Sequence, residues 1–143
     1  MARSLKYDFL HVVGDAIKDL PDLIYSWEIA SESALRNKHA ALQAFTIANA
    51  RAVRWAMHNP DKAEAISRKV LPSAKPEDIH IATQVFKNKQ YFSPTGKLAQ
   101  SAWDYTVDQA MKAGDLKKSL KYSDVVLTEF VDAESKALGP YKP

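Results

Sequence analysis

The chain has 143 residues, of which 46% are hydrophobic and 26% charged, a composition typical of one domain that buries an apolar core. It contains no cysteine, which excludes disulfides, thiolate metal sites and cysteine nucleophiles. Twenty basic against seventeen acidic residues give a net charge of +3, too small an excess to indicate nucleic acid as a partner.

The beginning of the chain carries none of the usual membrane signals. No stretch approaches the roughly 18–20 consecutive apolar residues of a membrane-spanning helix. Arg3 supplies an early basic residue, but Asp8 interrupts the place where the apolar core of a signal peptide should run. We therefore expect no signal peptide and no spanning helix within this chain.

The first thirty residues predict a short β pair. Residues 9–14 form a β-branched, apolar run that closes on Gly14. Residues 23–30 alternate, with Leu23, Tyr25, Trp27 and Ile29 on one face, which is the period of a half-buried strand. Two strands alone make a sheet of marginal stability, so we expect this pair to require partner strands. Its exposed edges favour pairing with a second copy, which predicts a homo-oligomer through the strands.

From residue 31 onward the pattern predicts about five helices and hence a mainly α chain. The first ends near His58, the second begins at Pro60, the third at Pro76, the fourth spans about 98–113 and the last about 125–137. We expect the buried faces to consist of Ala41, Phe45, Ala48, Ala52 and Trp55; Ala63, Ile66 and Val70; Ile79, Ala82, Val85 and Phe86; and Ala99, Trp103, Thr106 or Val107, and Ala110.

Several residues are typical of helix ends. Ser31 or Ser33 is the expected N-cap of the first helix, and Asn59 that of the second, with Pro60 in its first turn. Gly114 is the expected left-handed residue after the fourth helix. Ser123 and Asp124 are expected to cap the last.

The chain carries no recognisable catalytic or cofactor signature. Its four glycines, at 14, 96, 114 and 139, cannot form a phosphate-binding loop, and its four histidines lack metal-ligand spacing. We therefore predict no enzyme activity, no metal and no cofactor. The lysines at 112, 117, 118 and 121 indicate a solvated loop after a helix more than an anion site.

Ser26 and Glu28 are the candidate ligand-binding residues. They alternate with Trp27, so they project from the opposite face of the second predicted strand. If that face borders a cleft, both can meet a ligand; if it packs under a helix, Glu28 needs a partner or reaches solvent. Trp27, like Trp55 and Trp103, is expected in the core.

One passage resembles a known family. Phe45, Trp55, the corner Asn59-Pro60-Asp61 and Ala63 follow the spacing found in periplasmic solute-binding proteins of ABC importers, in the nitrate, sulfonate and taurine branch with its thiamine-pyrimidine-precursor relatives. The similarity continues through Leu71-Pro72, Pro76-Glu77, Phe92 to Gly96, Trp103, Ala113 to Lys118, and Tyr122 to Phe130.

The resemblance implies the C-terminal part of a two-lobed α/β type II periplasmic-binding fold. Residues 1–143 are then a single partial domain, with residues 1–30 as a strand-containing return segment and 31–143 as the helical region. The implied function is solute binding without catalysis, for a small and possibly anionic solute, with an ABC permease as partner. The implied location is periplasmic or extracellular. The alternative is a helical self-association or protein-interaction module derived from such a protein.

Overall fold

The structure, a computed structural model, describes residues 26–88 and 93–142 together with residues 11, 13, 19 and 24. These residues are mainly helical, as predicted, and no strand occurs among them. Seven helices occur in this described part: α1 (Glu32–Asn37), α2 (His39–His58), α3 (Pro60–Val70), α4 (Pro76–Asn88), α5 (Gln100–Ala113), α6 (Tyr122–Val125) and α7 (Glu129–Leu138).

The predicted helix starts hold in part. Ser31 is the cap of α1, since its hydroxyl accepts a hydrogen bond from the Ala34 amide at 3.2 Å. Pro60 occupies the first turn of α3, as predicted. Asn59 occupies the N-cap position of α3, as predicted, but it forms no side-chain cap there. Its side-chain amide instead donates to the Trp55 carbonyl at 2.9 Å. Asn59 therefore closes α2.

The C-terminal helices differ more from expectation. Gly114 has φ +84° and ends α5, which confirms its predicted role. The single helix expected over residues 125–137 is wrong, because α6 ends at Val125 and α7 begins only at Glu129. The interruption falls on Val126, Leu127 and Thr128, and β-branched residues lose side-chain freedom in a helix.

Two helix pairs dominate the packing. Helix α2 lies along α7, and α3 lies along α4. Smaller contacts join α1 to α2, α3 to α2, and α5 to α6. The buried apolar side chains among the described residues are Ala50, Ile79, Trp103, Val107 and Phe130.

The predicted buried face of α2 is wrong. Every residue of the set Ala41, Phe45, Ala48, Ala52 and Trp55 is exposed, and Ala50 on the opposite side of the helix is buried. Phe45 is 59% exposed and Trp55 40%. Helix α2 turns its other apolar face to α7.

The buried faces predicted for α3, α4 and α5 are only partly confirmed. Ile79, Trp103 and Val107 are buried, as predicted. Ile66, Val70, Ala82 and Ala99 are exposed, so those predictions are wrong. Ala63, Phe86, Thr106 and Ala110 are partly buried. The side chain of Val85 lies outside the described part.

The predicted strand over residues 23–30 is wrong where it can be compared. Residue 24 and residues 26–30 form no strand. Instead the Ile24 amide donates to the Thr106 hydroxyl of α5 at 3.0 Å. A strand needs a backbone ladder, and here a side chain satisfies the backbone. The run at 9–14 lies outside the described residues except for positions 11 and 13, neither of which is in a strand. The homo-oligomer through exposed strands stays a prediction without a described strand edge.

Candidate functional site

Glu28 lies beside α2 and is held there by polar contacts. The Asn49 amide donates to one oxygen of its carboxylate, and the Thr46 hydroxyl lies 3.5 Å from the other. Thr46 has one hydroxyl proton, and its nearer acceptor is the Leu42 carbonyl at 3.1 Å. Asn49 is therefore the main partner of Glu28. The carboxylate stays exposed, so it has both a partner and access to solvent.

Ser26 and Trp27 complete this exposed edge. Ser26 is exposed, two residues before Glu28. Trp27 is 50% exposed, and its ring centre lies 5.9 Å from that of Trp103 in a tilted arrangement. The prediction that Trp27 lies in the core is therefore wrong, because half of its side chain is exposed. Trp103 is buried as predicted, and its indole N–H donates to the Leu120 carbonyl at 2.9 Å. We call Ser26, Trp27, Glu28, Thr46 and Asn49 the Glu28 edge.

A second polar centre, absent from the sequence-based expectations, forms around Arg54. Its Nη2 contacts the Glu134 carboxylate of α7 at 2.7 Å. Its Nε donates to the Pro94 carbonyl at 2.7 Å, and its Nη1 donates to the Gly139 carbonyl at 2.8 Å. One guanidinium therefore joins α2 to a side chain of α7, to Gly139 directly after α7, and to the loop before α5.

Glu134 is fully buried, with 0% exposure. Its Oε1 accepts from Arg54, and its Oε2 has no hydrogen-bond partner in the described part of the chain. Burial raises the pKa of Glu134, an effect that the positive charges of Arg54 and Lys97 oppose. A glutamate at the spacing Phe130, Glu134, Leu138 on the apolar side of a helix is the sequence signal that could have found this centre.

The pair α3 and α4 carries a third polar group. The Glu64 carboxylate binds Arg68 one turn later on α3, and its other oxygen lies 3.0 Å from Nδ1 of His80 on α4. Its hydrogen bond with Arg68, and to a lesser degree the one with His80, holds the pKa of Glu64 below its usual value. This group fastens two helices at the surface.

The described side chains hold no group of three or more histidine, aspartate and glutamate residues arranged to bind a metal ion. Likewise, no helix among the described residues is long and apolar enough to cross a membrane. In the Arg54 centre, the side chains of Arg54 and Glu134 are 12% and 0% exposed, and the guanidinium is already bonded within the chain. The Glu28 edge is exposed and offers a carboxylate, a hydroxyl and aromatic surface, so it can bind a small polar molecule or another protein surface.

Comparison of the chain with family models, curated proteins and solved structures finds no match.

Proposed function

We propose that the chain is part of the solute-binding component of an ABC-type importer and binds a small solute without catalysis. The finer fold assignment belongs to the same proposal: the helices form the C-terminal part of a two-lobed α/β protein that works in the periplasm or outside the cell. In such a protein the lobes close on the solute, and the closed form docks on the permease.

The observation that carries this proposal is the corner at residues 59–61. The family-like passage predicts that one long helix ends at an asparagine and that a second helix begins at the next proline. Helix α2 ends at His58 and α3 begins at Pro60. Asp61 lies in the first turn of α3, where a negative charge suits the helix dipole. The local geometry therefore supports the motif on which the resemblance depends.

The Glu28 edge narrows the chemistry of the solute within this proposal. A carboxylate repels nitrate and sulfonate groups and accepts hydrogen bonds from amines, amidines and aminopyrimidines. Trp27 offers a half-exposed ring beside it, on which a flat heterocycle can stack. We therefore favour an amino-substituted pyrimidine over a simple anion as the solute, with Ser26 and Glu28 as its contacts.

A ligand screen by thermal unfolding tests this function. We would compare nitrate, an alkanesulfonate, taurine and an aminopyrimidine at matched ionic strength. A solute at one hundred times its Kd stabilises the folded state by about 2.7 kcal/mol, so binding gives a clear rise in Tm. We expect the rise with the aminopyrimidine, and we expect Glu28→Gln to weaken it.

Glu32→Gln is the matched control, because Glu32 is also exposed and lies at the start of α1, where it pairs with Arg36. It should leave the ligand response unchanged. A response that is equal in Glu28→Gln and wild type removes Glu28 from the site. No response to any of these solutes contradicts the proposed function.

Self-association is the second candidate function. The specific observation in its favour is the exposed apolar face of α2, on which Phe45 and Trp55 both lie.

A further inference from the structure

Helix α2 is apolar on two opposite sides. One side, which includes Ala50, packs toward α7. The other side carries the five exposed residues that we call the α2 stripe: Ala41, Phe45, Ala48, Ala52 and Trp55. At about 100° per residue these five positions lie within roughly 80° of one another around the helix. They therefore form one continuous surface along most of α2.

This surface has the composition of a protein–protein contact surface. Two large aromatic side chains are exposed near its ends, and alanines lie between them. Covering apolar surface favours association, and contiguous exposed apolar patches mark interaction sites. Alanine at Ala48 and Ala52, one turn apart, lets a second helix approach to about 8 Å. A helix of the same shape therefore fits the α2 stripe.

We propose that the α2 stripe pairs with the same stripe of a second copy of this chain, with the two α2 helices parallel about a two-fold axis. Phe45 and Trp55 then meet their own counterparts at the two ends, and the alanines meet in the middle. A two-fold interface uses the same patch on both subunits, so the stripe needs no other partner.

The charges that flank the stripe select this orientation. Arg51 lies about 80° to one side of the stripe, and Asn49, which holds Glu28, lies about 80° to the other side. In a parallel pair, opposite flanks face each other, so Arg51 approaches Glu28 of the partner subunit. In an antiparallel pair, like flanks face each other, so Arg51 meets Arg51 and Glu28 meets Glu28.

Both charged groups are free to make this contact. Arg51 and Glu28 are exposed, and neither forms an ion pair with any residue in the described ranges. Asn49 already fixes the Glu28 carboxylate in position, which reduces the entropy lost when a partner cation arrives. Because of the two-fold symmetry, the contact between Arg51 and Glu28 forms twice in the dimer.

Cysteine cross-linking tests the register directly, since the native chain has no cysteine. In a parallel pair, Ala48→Cys should form a covalent dimer under mild oxidation, and so should Ala52→Cys. Ala65→Cys is the matched control, because Ala65 is an exposed alanine on α3 outside the stripe, and it should stay monomeric. If each stripe variant links only when the two are mixed, the pair is antiparallel and the proposal is wrong.

Sedimentation velocity over a range of concentrations tests the interface without cross-linking. Ala52→Glu buries an unpaired charge in the dimer only, so the dimer dissociation constant should rise by more than about a hundredfold. Arg51→Glu should raise it about tenfold, and the double variant Arg51→Glu/Glu28→Arg should restore it. Far-ultraviolet circular dichroism checks that each variant stays folded.

A wild-type chain that is monomeric at every concentration overturns the proposal, as does a dimer that Ala52→Glu leaves intact. Sedimentation and cross-linking are carried out without solute, so the failure of the dimer and the failure of the ligand screen are separate results.

Discussion

Arg54 connects α2 with the loop before α5, with α7 and with the residue that follows α7. An arginine suits this place because its guanidinium presents five donors in a rigid plane, whereas lysine offers one compact ammonium. Three separate acceptors, from Pro94, Glu134 and Gly139, surround that plane at 2.7 to 2.8 Å. The side chain thereby donates hydrogen bonds to the backbone carbonyls of Pro94 and Gly139, two residues that lie outside the helices.

The first prediction concerns Arg54→Met. Methionine keeps the apolar stem but leaves Glu134 buried without its counter-charge, and breaking a buried pair in this way costs about 3–5 kcal/mol. The control is Arg36→Met, because the pair Arg36–Glu32 is 69% and 87% exposed and an exposed pair contributes less than about 1 kcal/mol. Urea unfolding measures both. Equal losses would contradict a special role for Arg54.

The second prediction follows from the raised pKa of Glu134. Its folded-state pKa lies above the unfolded value of 4.5, so the folded state binds this proton more tightly. The stability that Glu134 contributes is complete below pH 4.5 and declines as the pH rises through the folded pKa. Glu134→Gln should therefore cost most in acid and progressively less toward neutral pH. Urea titrations at several pH values measure this difference, and a constant difference would contradict it.

The third prediction concerns Glu64, whose contribution to stability depends on pH in the opposite direction. Contacts with Arg68 and His80 lower the pKa of Glu64, so its contribution is complete above the unfolded value of 4.5 and is lost as the pH falls through the folded pKa. Glu64→Gln should therefore destabilise the protein at neutral pH and cost progressively less in acid. The same titrations measure it, with Glu134→Gln as the internal contrast. A cost that grows in acid would show that the Glu64 contacts do not stabilise its charged form.

At the scale of the elements, local signals were more informative than periodicity. Ser31, Pro60 and Gly114 were predicted correctly because a cap or a left-handed turn depends on a few neighbouring backbone groups. The buried side of α2 could not be predicted in the same way. Leu42, Ile47, Val53 and Met57 line its other side, so the helical period fits two faces equally well. Only the position of α7 decides between them.

The site shows the same limit. Alternation in the predicted strand points to Glu28, but residues 26–30 form no strand, and the partner of Glu28 is Asn49 on α2. Arg54 and Glu134 are 80 residues apart, so no local pattern joins them. Contacts of this kind depend on how helices meet, which composition and period do not determine.

Gly114 gives a prediction that belongs to one element. Its φ of +84° is strained for any residue with a Cβ, yet a Cβ placed there meets no atom within 4 Å. Gly114→Ala should therefore cost about 1 kcal/mol, purely from the backbone. Gly114→Asn is the control, because asparagine tolerates the left-handed region better and should cost less. Thermal unfolding of both variants measures the difference, and an equal or larger loss in the asparagine variant would contradict this explanation.

At the scale of the whole molecule, the proposed dimer links stability to protein concentration. If folding and pairing through the α2 stripe are coupled, each tenfold rise in concentration stabilises the folded dimer by about 1.4 kcal/mol, because unfolding then releases two chains. The Tm of the wild type should therefore rise with concentration, whereas the Tm of Ala52→Glu should not. Scanning calorimetry from micromolar to hundreds of micromolar measures it, with Ala65→Glu on α3 as the control that keeps the wild-type slope. A wild-type Tm that is independent of concentration would mean that the chain folds and unfolds alone.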